Sequence, residues 1–225
     1  AESARQAQHA AVEVEWREAL GLEEHARERQ AVGEQLDQLL GNEHEYVCAA
    51  RVQQSGVADE LQRVAKALLG DERGGGAEFY SDPDPESLAS IAAHRAAAML
   101  PNLLPPIELD VTAPQWPVTQ ADAIVAINMI HIAPWGAAEG LMAGAERVLP
   151  PGGVLYLYGP YKENGAHTAP SNEAFDRSLR LRDPSWGVRD LAEVIALADR
   201  HALDFVQRIA MPANNLSVIF ERSNR

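Results

Sequence analysis

Cysteine is almost absent from this chain. The single one, Cys48, excludes an intramolecular disulfide and a cysteine-rich zinc site, and it fits a reducing compartment. No stretch approaches ~18 uninterrupted apolar residues and no basic-then-apolar leader opens the chain, so neither a membrane span nor a secretory leader is expected. Basic residues are scarce: 19 Lys and Arg stand against 33 Asp and Glu, a formal net charge of −14 with a pI near 4.9. A phosphate backbone or an anionic bilayer would be repelled unless a local basic patch overrode that total, and no run of Lys or Arg does so. We therefore expect a cytoplasmic protein that binds neither nucleic acid nor membrane. Chemical motifs are missing too. There is no H-E-x-x-H or close His–carboxylate set for a metal, no G-x-S-x-G elbow and no P-loop. No G-x-G-x-x-G follows an apolar run, which argues against a dinucleotide oxidoreductase.

What is there fits one globular domain: 225 residues, 46% hydrophobic and 23% charged. Composition shifts once along it. All 14 prolines lie at or after Pro83, and the first isoleucine is Ile91. Before that, Ala, Glu, Gln, Arg and Leu favour helix. Val32, Leu36, Leu39 and Leu40 recur at helical spacing before Gly41, and Leu61, Val64, Ala65 and Leu68 repeat the pattern. Between them, 46–50 is short enough for a strand but poor in β-branched residues. Gly74-Gly75-Gly76 reads as a flexible joint. From residue 77, apolar runs predict strands at 78–81, 107–111, 123–130 and 154–158. A final antiparallel pair is expected at 205–211 and 216–221. Helical patterns fall at 86–98, 136–149 and 188–201. Such alternation implies an α/β domain with a parallel sheet covered on both faces.

In open parallel sheets ligands sit beyond the carboxyl ends of the strands. Four places qualify. Asp82 could accept both hydroxyls of a ribose, or be only a turn residue before Asp84-Pro85, which start a helix. Asp110 could face an adenine amino group or open a turn toward Thr112. The segment 126–135 shows Asn128 and His131, the latter either a proton acceptor or a structural hydrogen bonder, with Trp135 as core anchor or pocket wall. The long stretch 158–172 carries Tyr158, Tyr161, Lys162, Asn164, His167 and Asn172, a set suited to a lid over a small polar substrate, or to a surface crossover. The mixed charges at 180–190 around Trp186 are expected to fix that lid through Arg–Asp pairing.

From Ser81 onward the chain resembles a family of class I S-adenosylmethionine (SAM) methyltransferase-like proteins catalogued as domain of unknown function 938. The matching stretches are SDPDPESLASIAAHRA, LDV, INMIHIAPW, EGLMAGAERVLPPGGVLYLYGPYKENG, SNEAFDRSLRLRDPSWGVRDL and MPANN. The resemblance implies a Rossmann-like methyltransferase fold: a mostly parallel seven-stranded sheet with an antiparallel last strand and helices on both faces. It implies SAM as cofactor and a small-molecule methyl acceptor. By it, Asp82 would hold the SAM ribose, Asp110 would lie by the adenine, and Asn128, Met129 and His131 would border the methyl-donor end. The 158–172 stretch would border the substrate, with His131 or Tyr158 orienting the nucleophile.

Residues 1–76 depart from the family pattern, within what we read as a single domain over 1–225. The family's first strand runs into a glycine-rich loop of the form Glu-x-x-Ser-Gly-x-Gly-Gln-His. Here 46–50 would be that strand, and Arg51-Val-Gln-Gln-Ser-Gly56 the loop, with only Gly56 kept for cofactor binding. Non-glycine residues forced into the left-handed region cost about 1–2 kcal/mol each, so two such sites would weaken a ligand ~10²-fold or more. Two functions follow as expectations: a SAM-dependent methyltransferase with a degenerate glycine loop, or a non-catalytic binding or scaffold protein on the same fold. In the second case the N-terminal helices would supply a partner or homo-oligomer surface.

Overall fold

The computed structural model describes residues 46–50, 77–99 and 103–225. The helical runs expected before residue 70, the 51–56 loop with Gly56, the triple glycine and the N-terminal self-association surface lie outside these residues.

Among the described residues, nine strands and four α-helices follow in order: β1 (Tyr46–Ala50), β2 (Glu78–Asp82), α1 (Pro85–Ala98), β3 (Ile107–Glu108), β4 (Ala123–Ile127), α2 (Trp135–Val148), β5 (Val154–Gly159), β6 (Lys162–Glu163), β7 (Ala166–His167), α3 (Pro170–Arg182), α4 (Leu191–Arg200), β8 (Leu203–Met211) and β9 (Asn215–Arg222). Seven of the strands form one sheet in the order β3-β2-β1-β4-β5-β9-β8. β2 runs parallel to β3 and β4 to β5, while β9 is antiparallel to both of its neighbours. The sequence pattern anticipates this α/β architecture and its reversed last strand.

β1 departs from it. It pairs antiparallel with both β2 and β4, setting Ala50 opposite Glu78 and Ala123, and Tyr46 opposite Ile127. The strand therefore ends at the edge where β2 and β4 begin. The connection from Ala50 to Glu78 starts and finishes at one edge, which needs no crossover along the sheet.

Local chemistry sets the element ends. Asp84 caps α1, its Oδ2 accepting the Ser87 N–H at 2.8 Å, with Pro85 as the first helical residue and Glu86 in the positive first turn. β3 stops at Glu108, short of the expected 111, because Asp110 Oδ1 accepts the Thr112 N–H at 2.8 Å and bends the chain. β4 stops at Ile127, short of the expected 130, because Asn128 takes a left-handed φ of 57°, which asparagine tolerates better than most residues.

Alternation along the strands divides the core into two faces. On one, Ile124, Ala126, Leu155, Leu157, Val218 and Phe220 meet α2 and α4 through Leu141, Ala145, Val194 and Leu197. On the other lie Ala123, Val125, Val154, Tyr156, Tyr158 and Ile219. α2 packs closely where its residues are small: a Cβ on Gly144 would overlap the Trp116 indole.

Candidate functional site at the carboxyl edge of the sheet

β2, β4 and β5 deliver Asp82, Asn128 and Gly159 to one edge. Asp82 is buried, and its Oδ1 accepts the Asp84 N–H at 2.7 Å while its carbonyl accepts the Leu109 N–H at 3.2 Å. The turn role foreseen for it is thus present. Asp110 is exposed, and the same Oδ1 that accepts the Thr112 N–H also accepts the Thr112 hydroxyl at 2.7 Å.

After β4 the chain makes a tight turn at the mouth of the sheet. The Asn128 N–H donates to the Tyr158 carbonyl at 2.8 Å, bolting the turn to β5, and the Asn128 carbonyl accepts the N–H of His131 at 2.9 Å. Met129, expected along the methyl-donor end, sends its side chain into the core instead, where it is 2% exposed. Its hydrophobicity decides that placement, and only its backbone lies along the edge.

His131 is fully buried. Its Nδ1 accepts the Arg189 N–H at 3.3 Å, which leaves the neutral ring its proton on Nε2. Burial above all, together with the Arg189 charge, lowers its pKa to about 3, and Asp176 offsets this only in part. A histidine held this way can offer a proton from Nε2, and its lowered pKa favours the structural hydrogen bonder over the proton acceptor among the two roles foreseen for it. Tyr161 backs the ring edge-on, with centroids 4.9 Å apart. Nε2 of His131 and the hydroxyl of Tyr161 are buried without a hydrogen-bond partner among the described residues.

Tyr158, the second residue expected to orient a nucleophile, sits on the other face of the sheet with Tyr156 and Ile219, and its hydroxyl accepts an Asn215 Nδ2–H at 3.0 Å. Tyr161 belongs to the helix-side core. His131, the other residue expected to orient a nucleophile, lies against Tyr161 of that core, so the two candidates pack on different faces.

The 158–172 stretch is a built structure. β6 and β7 form a small hairpin turning at Asn164, with φ of 54°, and Gly165, whose N–H donates to Asp190 at 2.6 Å. Asn172 donates to the Thr168 hydroxyl at 3.0 Å and to the Asn214 carbonyl at 2.9 Å, tying the start of α3 to the β8–β9 turn. Lys162 and His167 both reach Asp176 Oδ2, at 3.0 and 3.3 Å. Asp176 Oδ1 accepts the Val188 N–H at 2.7 Å and Arg180 Nε at 3.2 Å. Burial alone would raise the Asp176 pKa; the bonds from Lys162 and Val188, the Lys162 charge and the bond from Arg180 outweigh it and hold the carboxyl below its ordinary range.

Arg–Asp pairing from 180–190 was expected to fix the lid; Arg180 pairs instead with Asp176 one turn back on α3, and the contact from that stretch to the lid turn is Asp190 accepting the Gly165 N–H. Arg189 does something else. Its guanidinium donates to the carbonyls of Ile130, Ala133 and Ser185 at 2.8, 2.6 and 3.1 Å and lies 5.6 Å above the Trp135 ring. Asp176 was not foreseen as part of the site, because its partners Lys162, His167, Arg180 and Val188 are scattered through the sequence. Among the described residues no three His, Cys, Asp or Glu side chains are placed to hold a metal, and no helix is long and apolar enough to cross a membrane.

Comparison with known proteins agrees with this architecture. A family model described as a protein of unknown function (DUF938) matches residues 77–222. The pyocyanin biosynthetic protein PhzM superposes with a TM-score of 0.55 at 15% identity, over 72% of this chain and 47% of that one. An O-methyltransferase family 2 protein from Planctomyces limnophilus, solved with apigenin, gives 0.53 at 21% identity, over 64% and 41%. Human N-acetylserotonin methyltransferase, solved with SAM, gives 0.53 at 16%, over 65% and 40%. The chain spans less than half the length of each of these solved proteins. At such identities the likeness is one of fold alone, a Rossmann-like α/β fold that these methyltransferases share.

Proposed function

The chain belongs to the DUF938 family of proteins of unknown function, and from that footing we propose that it is a SAM-dependent methyltransferase acting on a small polar molecule. The observation that carries this reading is the buried Asp82 carboxylate at the carboxyl end of β2, on the sheet edge it shares with Asn128 and Gly159. A carboxylate at the end of a second strand suits the paired hydroxyls of a ribose. Gly159 lets the Asn128 and His131 side chains close against the end of β5, where a Cβ would come within 2.8 Å of both.

When bound, SAM supplies a sulfonium-linked methyl group. The chain's own residues hold and orient. Asp82 accepts the ribose hydroxyls, Asp110 lies toward the adenine, and Asn128 with the Met129 backbone borders the methyl-donor end. His131 donates from Nε2, and the hairpin that carries Tyr161, Lys162 and His167 closes the acceptor side. Methyl transfer needs little beyond in-line positioning, so a fixed frame of this kind suffices when the acceptor offers a lone pair.

The direction of β1 favours a second reading. Ala50 lies at the edge opposite Asp82, so the chain leaves β1 away from the place where a cofactor loop would serve. That arrangement suits a methyltransferase-fold binding protein that no longer holds SAM. Calorimetric titration with S-adenosylhomocysteine separates the two. A micromolar Kd weakened at least tenfold by Asp82→Ala supports the enzyme, whereas no heat at millimolar ligand supports the binding protein.

A further inference from the structure

The turn that follows β4 cannot satisfy its own backbone. Within residues 128–133 its amides serve two carbonyls: that of Asn128 accepts from His131 and Ile132, and that of Met129 accepts from Ile132. Ile130, His131 and Ala133 are buried, and their carbonyls look outward to one short strap at 187–189. The His131 carbonyl accepts the Gly187 N–H at 2.8 Å. The Arg189 guanidinium takes the other two, Nε donating to Ile130 at 2.8 Å and Nη2 to Ala133 at 2.6 Å. Buried carbonyls without a donor are strongly disfavoured, so the shape of the turn depends on that side chain. The strap is itself fixed, since the Val188 N–H donates to Asp176 Oδ1 at 2.7 Å.

Arginine is a costly choice for filling space here. Arg189 is half-buried, and the groups it bonds or stacks on, three carbonyls and the Trp135 face, are all uncharged. Burial above all, with the Arg180 charge, lowers its pKa, against the charges of Asp176 and Glu193. A neutral side chain would avoid that desolvation. What the guanidinium adds is a rigid planar fork that holds two carbonyls at a fixed angle, which the point charge of a lysine cannot do. The turn so held carries Asn128, whose left-handed φ of 57° and bond to the Tyr158 carbonyl set it at the carboxyl edge of the sheet.

Resting on the methyltransferase reading above, we propose that Arg189 is a positioning residue for the methyl-donor half of the cofactor. By holding the Ile130 and Ala133 carbonyls it fixes the turn on which Asn128 and the Met129 backbone border that half. Arg189 acts through the turn and touches no ligand. The ribose and adenine half, at Asp82 and Asp110, belongs to other strands and does not depend on it.

The test compares S-adenosylhomocysteine with adenosine, which lacks the sulfur and the amino-acid tail, by calorimetric titration of the parent, Arg189→Ala and Arg189→Lys. Both variants should bind S-adenosylhomocysteine about tenfold more weakly, the worth of one or two hydrogen bonds, and adenosine within about twofold of the parent. Ethylguanidinium should restore part of the lost affinity to Arg189→Ala. Unchanged S-adenosylhomocysteine binding, an equal loss for both ligands, or a lysine variant that matches the parent would each overturn the assignment; the equal loss would mark a general loss of stability. Hydrogen exchange of the ligand-free protein gives the second measurement. Amides 128–133 should exchange about tenfold faster in Arg189→Ala while those of β9 keep their rates, which also shows that the variant folds. If the parent binds neither ligand, the cofactor reading falls and exchange alone decides: a faster turn upholds the grip of Arg189 on it, and an unchanged one overturns it.

Discussion

Replacing Asp176 by alanine tests whether the hairpin beside the site is held by one buried carboxylate. Asp176 is 6% exposed and receives bonds from Lys162 Nζ, His167, Arg180 and the Val188 N–H, joining β6, β7, α3 and the segment before α4. Its partners are unequal. The Arg180 side chain is half-exposed and contributes little. Lys162 is 18% exposed, and the Val188 N–H is buried, so both lose a partner they cannot replace from water. Removing one member of a buried pair costs about 3–5 kcal/mol. With the Arg180 contact discounted, about 3 kcal/mol is expected, which lowers Tm by roughly 6–12 °C in a chain of this size.

Calorimetric melting measures that loss, and hydrogen exchange of amides 160–168 should rise with it. Because the folded pKa of Asp176 is depressed, its contribution is present above the unfolded carboxyl value near 3.8 and is lost as pH falls through the folded one. Asp176→Ala should therefore be less sensitive to acid below about pH 4 than the parent. A fall in Tm of under ~2 °C, with unchanged exchange in the hairpin, would refute the network's role.

Two further outcomes concern the sheet. Glu78 is buried at the start of β2, its Oε1 without a partner among the described residues, and burial pushes its pKa up to about 8. A raised carboxyl pKa makes stability fall as pH climbs from about 4.5 to about 8, by several kcal/mol at ~1.4 kcal/mol per pH decade. Glu78→Gln should abolish that slope, and urea unfolding at acidic, neutral and alkaline pH reads it; a parent of constant stability across this range would disprove the burial. Gly144→Ala puts a methyl group into the Trp116 ring and should cost about 1–3 kcal/mol with a shift in Trp fluorescence. An unchanged Tm and spectrum would show that the α2–Trp116 contact is loose.

Much of the fold was legible because local signals and the global pattern agree. Asp84-Pro85 marks a helix start in any protein, and the apolar runs at 123 and 154 become the parallel pair β4–β5. α3 was hidden because its inward residues, Asn172, Asp176 and Leu179, keep helical spacing while two of the three are polar, so no apolar stripe announces it. Pro170 at its first turn was the available sign. The β6–β7 hairpin also had one, since Asn164-Gly165 is a strong turn dipeptide, but its flanking strands are only two residues long.

The site was half legible. The positions of Asp82, Asn128 and His131 follow from strand ends. What His131 does depends on the Arg189 N–H, 58 residues away, and no local pattern reports it. The reversal of β1 is likewise invisible in Tyr46-Val47-Cys48-Ala49-Ala50, because a five-residue apolar run carries no direction.

The most direct test of a SAM site at this edge is hydrogen exchange of the protein with and without millimolar SAM. The methyltransferase reading predicts slowed exchange confined to 80–84, 127–132 and 158–162, where the carboxyl ends of β2, β4 and β5 meet. Unchanged exchange in all three segments, or protection only elsewhere, would contradict it.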